Sequence, residues 1–128
     1  MKILGVGVDI IENKRIKNLI SKKLFLKRTF GKNEIRLSKK TFNKTNFYSK
    51  RFAAKEAFAK SIGTGFRNDL NLKDIEILND KVGKPFILKS KKINNLIKKR
   101  FKINNFDLFL SISDEKDYSI AFTILQKK

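Results

Sequence analysis

Apolar positions change period several times along this chain, and each change marks an element. Residues 1–12 alternate as a strand, with Gly5, Gly7, Asp9 and Ile11 on one face and Leu4, Val6, Val8 and Ile10 on the other. The branched aliphatic face is the one expected in the core, leaving the glycine face bare for a ligand. Residues 13–21 switch to helical spacing, with Ile16, Leu19 and Ile20 inward and Lys14, Arg15, Lys17 and Lys22 outward. Residues 25–30 form a short amphipathic segment carrying Lys27 and Arg28, and a polar helix is expected from near Asn33.

After a polar linker at 41–46, residues 47–62 run without a helix breaker, and Gly63 supplies a left-handed stop. Phe47, Ala54, Phe58 and Ile62 form one stripe, widened by Tyr48, Phe52 and Ala59. So much apolar circumference predicts packing on more than one side of this helix, which organises the rest of the chain. Beyond an irregular patch, Leu72, Ile75 and Ile77 predict a strand over 72–78. Residues 79–84 carry turn chemistry, and 85–88 return as the partner strand. Ser90 can cap a basic amphipathic helix through Arg100, with Ile93, Leu96 and Ile97 inward. Residues 106–113 and 118–125 predict a final hairpin on which Ser111 and Ser113 share a face.

Composition narrows the picture. A chain of 128 residues is a single domain over 1–128. It has neither cysteine nor histidine, which excludes a disulfide framework, a thiolate metal site and a Ser-His triad. The first residues are too short and too interrupted an apolar run for a signal peptide, and no later run approaches a membrane span. The expected setting is reducing and cytoplasmic, with no membrane partner. A formal charge of +19 attracts polyanions, whether nucleic acid, an acidic protein or a polyphosphate ligand. No RRM, KH, zinc-finger or helix-turn-helix pattern accompanies it, so nucleic acid is the weaker expectation.

Candidate chemistry gathers on two elements. Glu56 and Lys60 lie one helical turn apart, away from the apolar stripe, and read either as a surface i,i+4 pair or as part of a site. Gly63-Thr64-Gly65 is either a helix cap or a turn whose backbone can approach phosphate closely. Asp9 either caps the turn after the first strand or faces a ligand. Two carboxylates without histidine or cysteine suit a hard, oxygen-loving ion such as Mg²⁺, which keeps waters and takes phosphate oxygens.

The run Arg51-Phe-Ala-Ala-Lys-Glu-Ala-Phe-Ala-Lys60, followed by Gly63-Thr64-Gly65, closely resembles the signature of the bacterial holo-acyl-carrier-protein synthases, the small phosphopantetheinyl transferases. Gly5-Val-Gly-Val-Asp9-Ile-Ile-Glu12 resembles their N-terminal signature, and the similarity runs to the end of the chain. The resemblance implies an α+β fold, a small antiparallel sheet packed on a long central helix, assembling as a trimer with active sites between subunits. It implies transfer of 4′-phosphopantetheine from coenzyme A to a serine of an acidic acyl carrier protein, in the service of fatty acid synthesis. Asp9 and Glu56 become the expected Mg²⁺ ligands, with Lys60 beside them as a catalytic cation. Arg51, Lys60, Gly63, Gly65, Lys84, Pro85, Ser111 and Ser113 become expected coenzyme A contacts. Arg15, Lys22 and Arg28 are the expected carrier-protein surface. The family's His-x-Ser-x-Ser-His motif is matched in part: Phe109 and Asp114 stand at the two histidine positions. A member that binds coenzyme A or carrier protein without transferring is the alternative this departure motivates.

Overall fold

The computed structural model describes residues 1–63 and 70–128. Its strands are β1 (Lys2–Glu12), β2 (Ile77–Asn79), β3 (Pro85–Ile87), β4 (Phe106–Asp114) and β5 (Tyr118–Lys127). The helices are α1 (Asn13–Leu19), α2 (Lys23–Thr29), α3 (Lys32–Ser38), α4 (Lys44–Ile62) and α5 (Lys91–Phe101). β1, β5 and β4 form an antiparallel sheet in that order, and β2 and β3 a separate hairpin.

The sheet lies on α4, whose buried residues run right round the helix from Phe47 to Ile62. Packing on several sides, as the apolar circumference predicts, follows from its having β1 and β5 on one side and α1, α3 and β2 on others. The helix begins earlier than expected. Asn43 accepts a hydrogen bond from Asn46 N–H and caps a first turn inside the region read as linker. Gly63 ends it in the left-handed conformation (φ 84°), its N–H bonded to Ala59 O, as anticipated.

Two expectations are corrected. The segment 72–78 is not one strand: Leu72–Asp74 form a 3₁₀ turn, with the Asp74 carboxylate accepting from Asn71 N–H, and only Ile77–Asn79 extend. The faces of β1 are also reversed. Gly5 and Gly7 press against α4, where any Cβ would collide with the carbonyl oxygens of Ser61 and Ala57. Thr123, the cross-strand partner of Gly7, donates to that same Ala57 carbonyl at 3.0 Å. The glycines therefore admit a helix backbone rather than a ligand. Val6, Val8 and Ile10, expected inside, are 51%, 48% and 62% exposed. Cross-strand register places Phe122, Ile120 and Phe109 on this same outer face, and all three are exposed.

A buried polar network holds α4 against its other neighbours. The Lys55 ammonium donates to Glu34 Oε1 at 2.6 Å, to Leu72 O at 3.0 Å and to Ile75 O. Glu34 in turn accepts from Gly31 N–H at 3.0 Å and Ile77 N–H at 3.1 Å. Both side chains have no solvent exposure. Three acceptors around three ammonium protons, and three donors on the carboxylate, define the ionised pair. Burial pushes the Glu34 carboxyl up and the Lys55 ammonium down, each opposed by the other's charge. No helix among the described residues is long and apolar enough to cross a membrane.

Candidate active site

The end of β1 and the middle of α4 bring Asp9, Glu56 and Lys60 together. Pairing Asp9 with Ala121 and Ala121 with Ile112 places Asp9 on the helix-facing side of the sheet. Lys60 reaches back along α4 to Asp9 Oδ1 at 3.2 Å and Val8 O at 3.0 Å. Glu56 lies one turn earlier and half-buried. Burial raises its carboxyl above the ordinary glutamate range and the Asp9 charge raises it further, while Lys60 and Arg15 pull it down. Two carboxylates felt by each other across a strand–helix junction are an arrangement that folding alone disfavours, and that a cation would relieve.

Their donor set fits Mg²⁺: oxygen ligands only, in a chain without histidine or cysteine. No group of three or more metal-ligating side chains exists among the described residues, so two carboxylates would leave most of an octahedral shell to water and phosphate oxygens. Arg15, expected on the carrier-protein surface, is exposed on α1 and close enough for its charge to act on Glu56. Lys22 directly precedes α2 and Arg28 sits in its last turn, both exposed. The three expected docking cations thus follow α1 and α2 away from the carboxylates.

The remaining predicted residues that the structure describes lie elsewhere on the chain. Arg51 and Glu56 point about 140° apart around α4. Arg51 is buried, donating from Nε to Ile77 O at 3.1 Å and from one Nη to Asn79 Oδ1 at 2.7 Å, with its guanidinium 3.7 Å over the Phe47 ring. It ties the β2–β3 hairpin to the helix as well as facing a cleft. That cleft, about 490 Å³, is lined by Lys40, Lys50, Arg51, Asn79 and Asp114, among others. Asp114, standing at a family histidine position, accepts from Asn46 Nδ2 at 2.8 Å there. Lys84 and Pro85 follow the left-handed Gly83 (φ 87°), where Asp80 Oδ1 takes the Val82 and Lys84 N–H groups. Lys84 is exposed. Ser111 and Ser113 pair with Phe122 and Ile120 on the outer sheet face, opposite the side that holds Asp9. Gly65 lies outside the described residues. A further cleft of about 400 Å³, lined by Lys89, Asn94, Lys98, Asn105 and Lys128, holds none of the predicted residues.

Among the described residues, the predicted site residues therefore fall into two separated clusters. One is the carboxylate–lysine group on the inner side of the sheet; the other is the Arg51 cleft with the hairpin.

A family model described as the 4′-phosphopantetheinyl transferase superfamily matches residues 5–123. The chain belongs to that superfamily, on its holo-[acyl-carrier-protein] synthase branch. A holo-[acyl-carrier-protein] synthase of Pelagibacter ubique is 62% identical over 128 residues, the full length of both chains. Among solved structures, a Neisseria meningitidis holo-[acyl-carrier-protein] synthase superposes with a TM-score of 0.87 at 34% identity, covering 98% of this chain and 99% of that one. A Bacillus anthracis synthase in complex with CoA (3′,5′-ADP) superposes with a TM-score of 0.82 at 33% identity, covering all of both chains. The α+β architecture of this phosphopantetheinyl transferase is thus the synthase fold, with the small antiparallel sheet on a long helix as expected.

Sequence reading missed Glu34 in this transferase. Its signal was present: a glutamate three residues after Gly31, where it accepts the N–H that opens α3. Its partner Lys55 stands inside the signature run itself, beside Glu56, and is buried in the core.

Proposed function

We propose that this transferase moves 4′-phosphopantetheine from coenzyme A to a serine of apo acyl carrier protein in a Mg²⁺-dependent reaction, giving holo carrier protein and adenosine 3′,5′-bisphosphate. The observation that carries the metal dependence is the meeting of Asp9 with Glu56, whose carboxyl is held above its ordinary value by burial and by Asp9. Asp9 and Glu56 would hold Mg²⁺, which when bound supplies charge neutralisation for the pyrophosphate. Lys60, already at Asp9, adds a positive charge at the same place, which would help to offset the charge of phosphate oxygens. The serine hydroxyl attacks the β-phosphorus, the bond from that phosphorus to the bridging oxygen breaks, and adenosine bisphosphate leaves. No imidazole exists to take the serine proton, so the carboxylates and solvent are the available acceptors. Coenzyme A in the B. anthracis synthase, at full coverage of this chain, supports the co-substrate.

The second cluster fits an assembly in which a neighbouring copy completes each site. Val6, Val8, Ile10, Phe109, Ile120 and Phe122 give the outer sheet face a continuous apolar surface of the kind that a subunit covers. A trimer would bury it and bring Ser111, Ser113, Arg51 and Lys84 of one copy toward the carboxylates of the next. The exposed cations Arg15, Lys22 and Arg28 suit an acidic carrier protein, in the cytoplasm and in fatty acid synthesis.

Asp9→Ala and Glu56→Ala should each abolish transfer while leaving the far-ultraviolet circular dichroism and the cooperative melt intact. Near-normal turnover by both variants at low magnesium would overturn the metal assignment.

A further inference from the structure

The N-terminal end of α1 is held to the sheet by a buried side chain that neither cluster contains. Asn13, 3% exposed, donates from its Nδ2 amide to Glu115 O at 2.9 Å and to Lys116 O at 3.0 Å. Its Oδ1 accepts from the fully buried Ser119 hydroxyl at 2.7 Å, and its backbone N–H donates to Asp117 O at 2.8 Å. Four bonds thus join one residue to the turn between β4 and β5 and to the start of β5. That turn is fixed in its own right. Asn46 of α4 donates to Asp114 Oδ2 at 2.8 Å, and Glu115 Oε1 takes the N–H groups of Asp117 and Tyr118. Through the turn, α1 is aligned to the helix that carries Glu56.

α1 has only 7 residues and no side-chain cap, and so short a helix has little stability of its own. Its other buried residue is Ile16. Apolar burial at Ile16 holds the helix down without fixing its rotation, because the hydrophobic effect has no direction. The amide's hydrogen bonds do. A buried amide costs free energy unless its polar atoms are paired, so Asn13 admits one orientation of α1. Arg15 stands about 160° round the helix from Asn13, on the exposed side. A rotation of about 20° would swing a side-chain tip by about 2 Å. We propose that Asn13 is a positioning residue for the carrier protein, fixing the rotation of α1 so that Arg15 meets the acidic partner in register with the carboxylates, an inference that rests on the transferase reading above.

Steady-state kinetics, with apo acyl carrier protein and coenzyme A varied in turn, test this on wild type, Asn13→Leu, Arg15→Gln and the double variant. Asn13→Leu should raise KM for carrier protein by about three- to fivefold, the worth of an exposed charge contact. KM for coenzyme A and kcat should stay within about twofold of wild type. Arg15→Gln should raise the carrier KM by a similar factor, and the double variant should be little worse than either, since both lose the same contact. Ser119→Ala removes one bond of the clasp; it should show the same split at about twofold, and it decides the matter where Asn13→Leu does not fold. A wild-type carrier KM in the folded variant would overturn the proposal, and with a lowered melting temperature would leave Asn13 a stabilising residue only. Factors that multiply in the double variant, or an equal rise in both KM values, would overturn it too. Failure of the wild type to modify carrier protein would overturn the transferase reading and this inference with it, and is visible before any variant is made.

Discussion

Replacing Lys55 with methionine removes a cation that touches no expected ligand, and should cost the fold rather than the chemistry. The variant leaves the Glu34 carboxylate buried with two N–H donors and no counter-ion, and strips Leu72 O and Ile75 O of their donor. Breaking one side of a fully buried pair costs about 3–5 kcal/mol. With an unfolding entropy of roughly 2.1 cal/mol/K per residue, a chain of 128 residues should melt about 11–19 °C lower. Glu34→Gln should cost a similar amount, by leaving the ammonium unpaired. The double variant Glu34→Gln/Lys55→Met should be less destabilised than the sum of the two by about 2 kcal/mol or more, because neither charge remains. Urea denaturation of the four proteins closes the cycle, and kcat measured below the melting range should stay within about twofold of wild type, since the pair lies outside the reacting groups. A Lys55→Met variant losing less than about 1 kcal/mol, or an additive cycle, would refute the network as described. Normal stability with kcat lost would show instead that Lys55 belongs to the reaction.

Gly7→Ala should destabilise by about 3 kcal/mol or more, because its Cβ would meet the Ala57 carbonyl and the helix would have to lift from the sheet; chemical denaturation reads this directly. The raised Glu56 carboxyl favours its protonated form in the folded, metal-free protein, so the stability that protonation supplies is present in acid and lost as pH rises through the folded value. Glu56→Gln should accordingly melt higher than wild type in EDTA at neutral pH, with the gap closing toward acid, and magnesium should raise only the wild type. The acid limb of kcat/KM should lie above the ordinary glutamate range for the same reason, and Asp9→Asn should lower the Glu56 titration followed by carboxyl NMR. Phe122→Asp places a charge in the middle of the exposed apolar sheet face, and should give monomers by sedimentation together with loss of transfer.

How much of this was legible depends on the kind of signal. Asp9, Glu56 and Lys60 stand in runs whose spacing and order are distinctive, and the structure brings them together. The limits of α4 and α5 were legible at Gly63 and Ser90, where the cap chemistry is local. The orientation of β1 was not. Alternation defines two faces but does not say which one is covered, and a glycine face admits a helix backbone as readily as a ligand. Valines that look like core on a single chain are left outside because the other face is already filled by α4. Segment 72–78 was misread because Leu72 and Ile75 serve a 3₁₀ turn whose carbonyls are held by Lys55, a partner 17 to 20 residues away in sequence. The Glu34 pairing depends in the same way on a tertiary distance that no local pattern carries.

The most direct test of the central claim is the intact mass of apo acyl carrier protein after incubation with this protein, coenzyme A and magnesium, beside an EDTA control. The account predicts a gain equal to one 4′-phosphopantetheinyl group, seen only when the metal is present. An unchanged carrier-protein mass, with the protein folded and coenzyme A bound, would contradict it and leave a binder that has lost transfer.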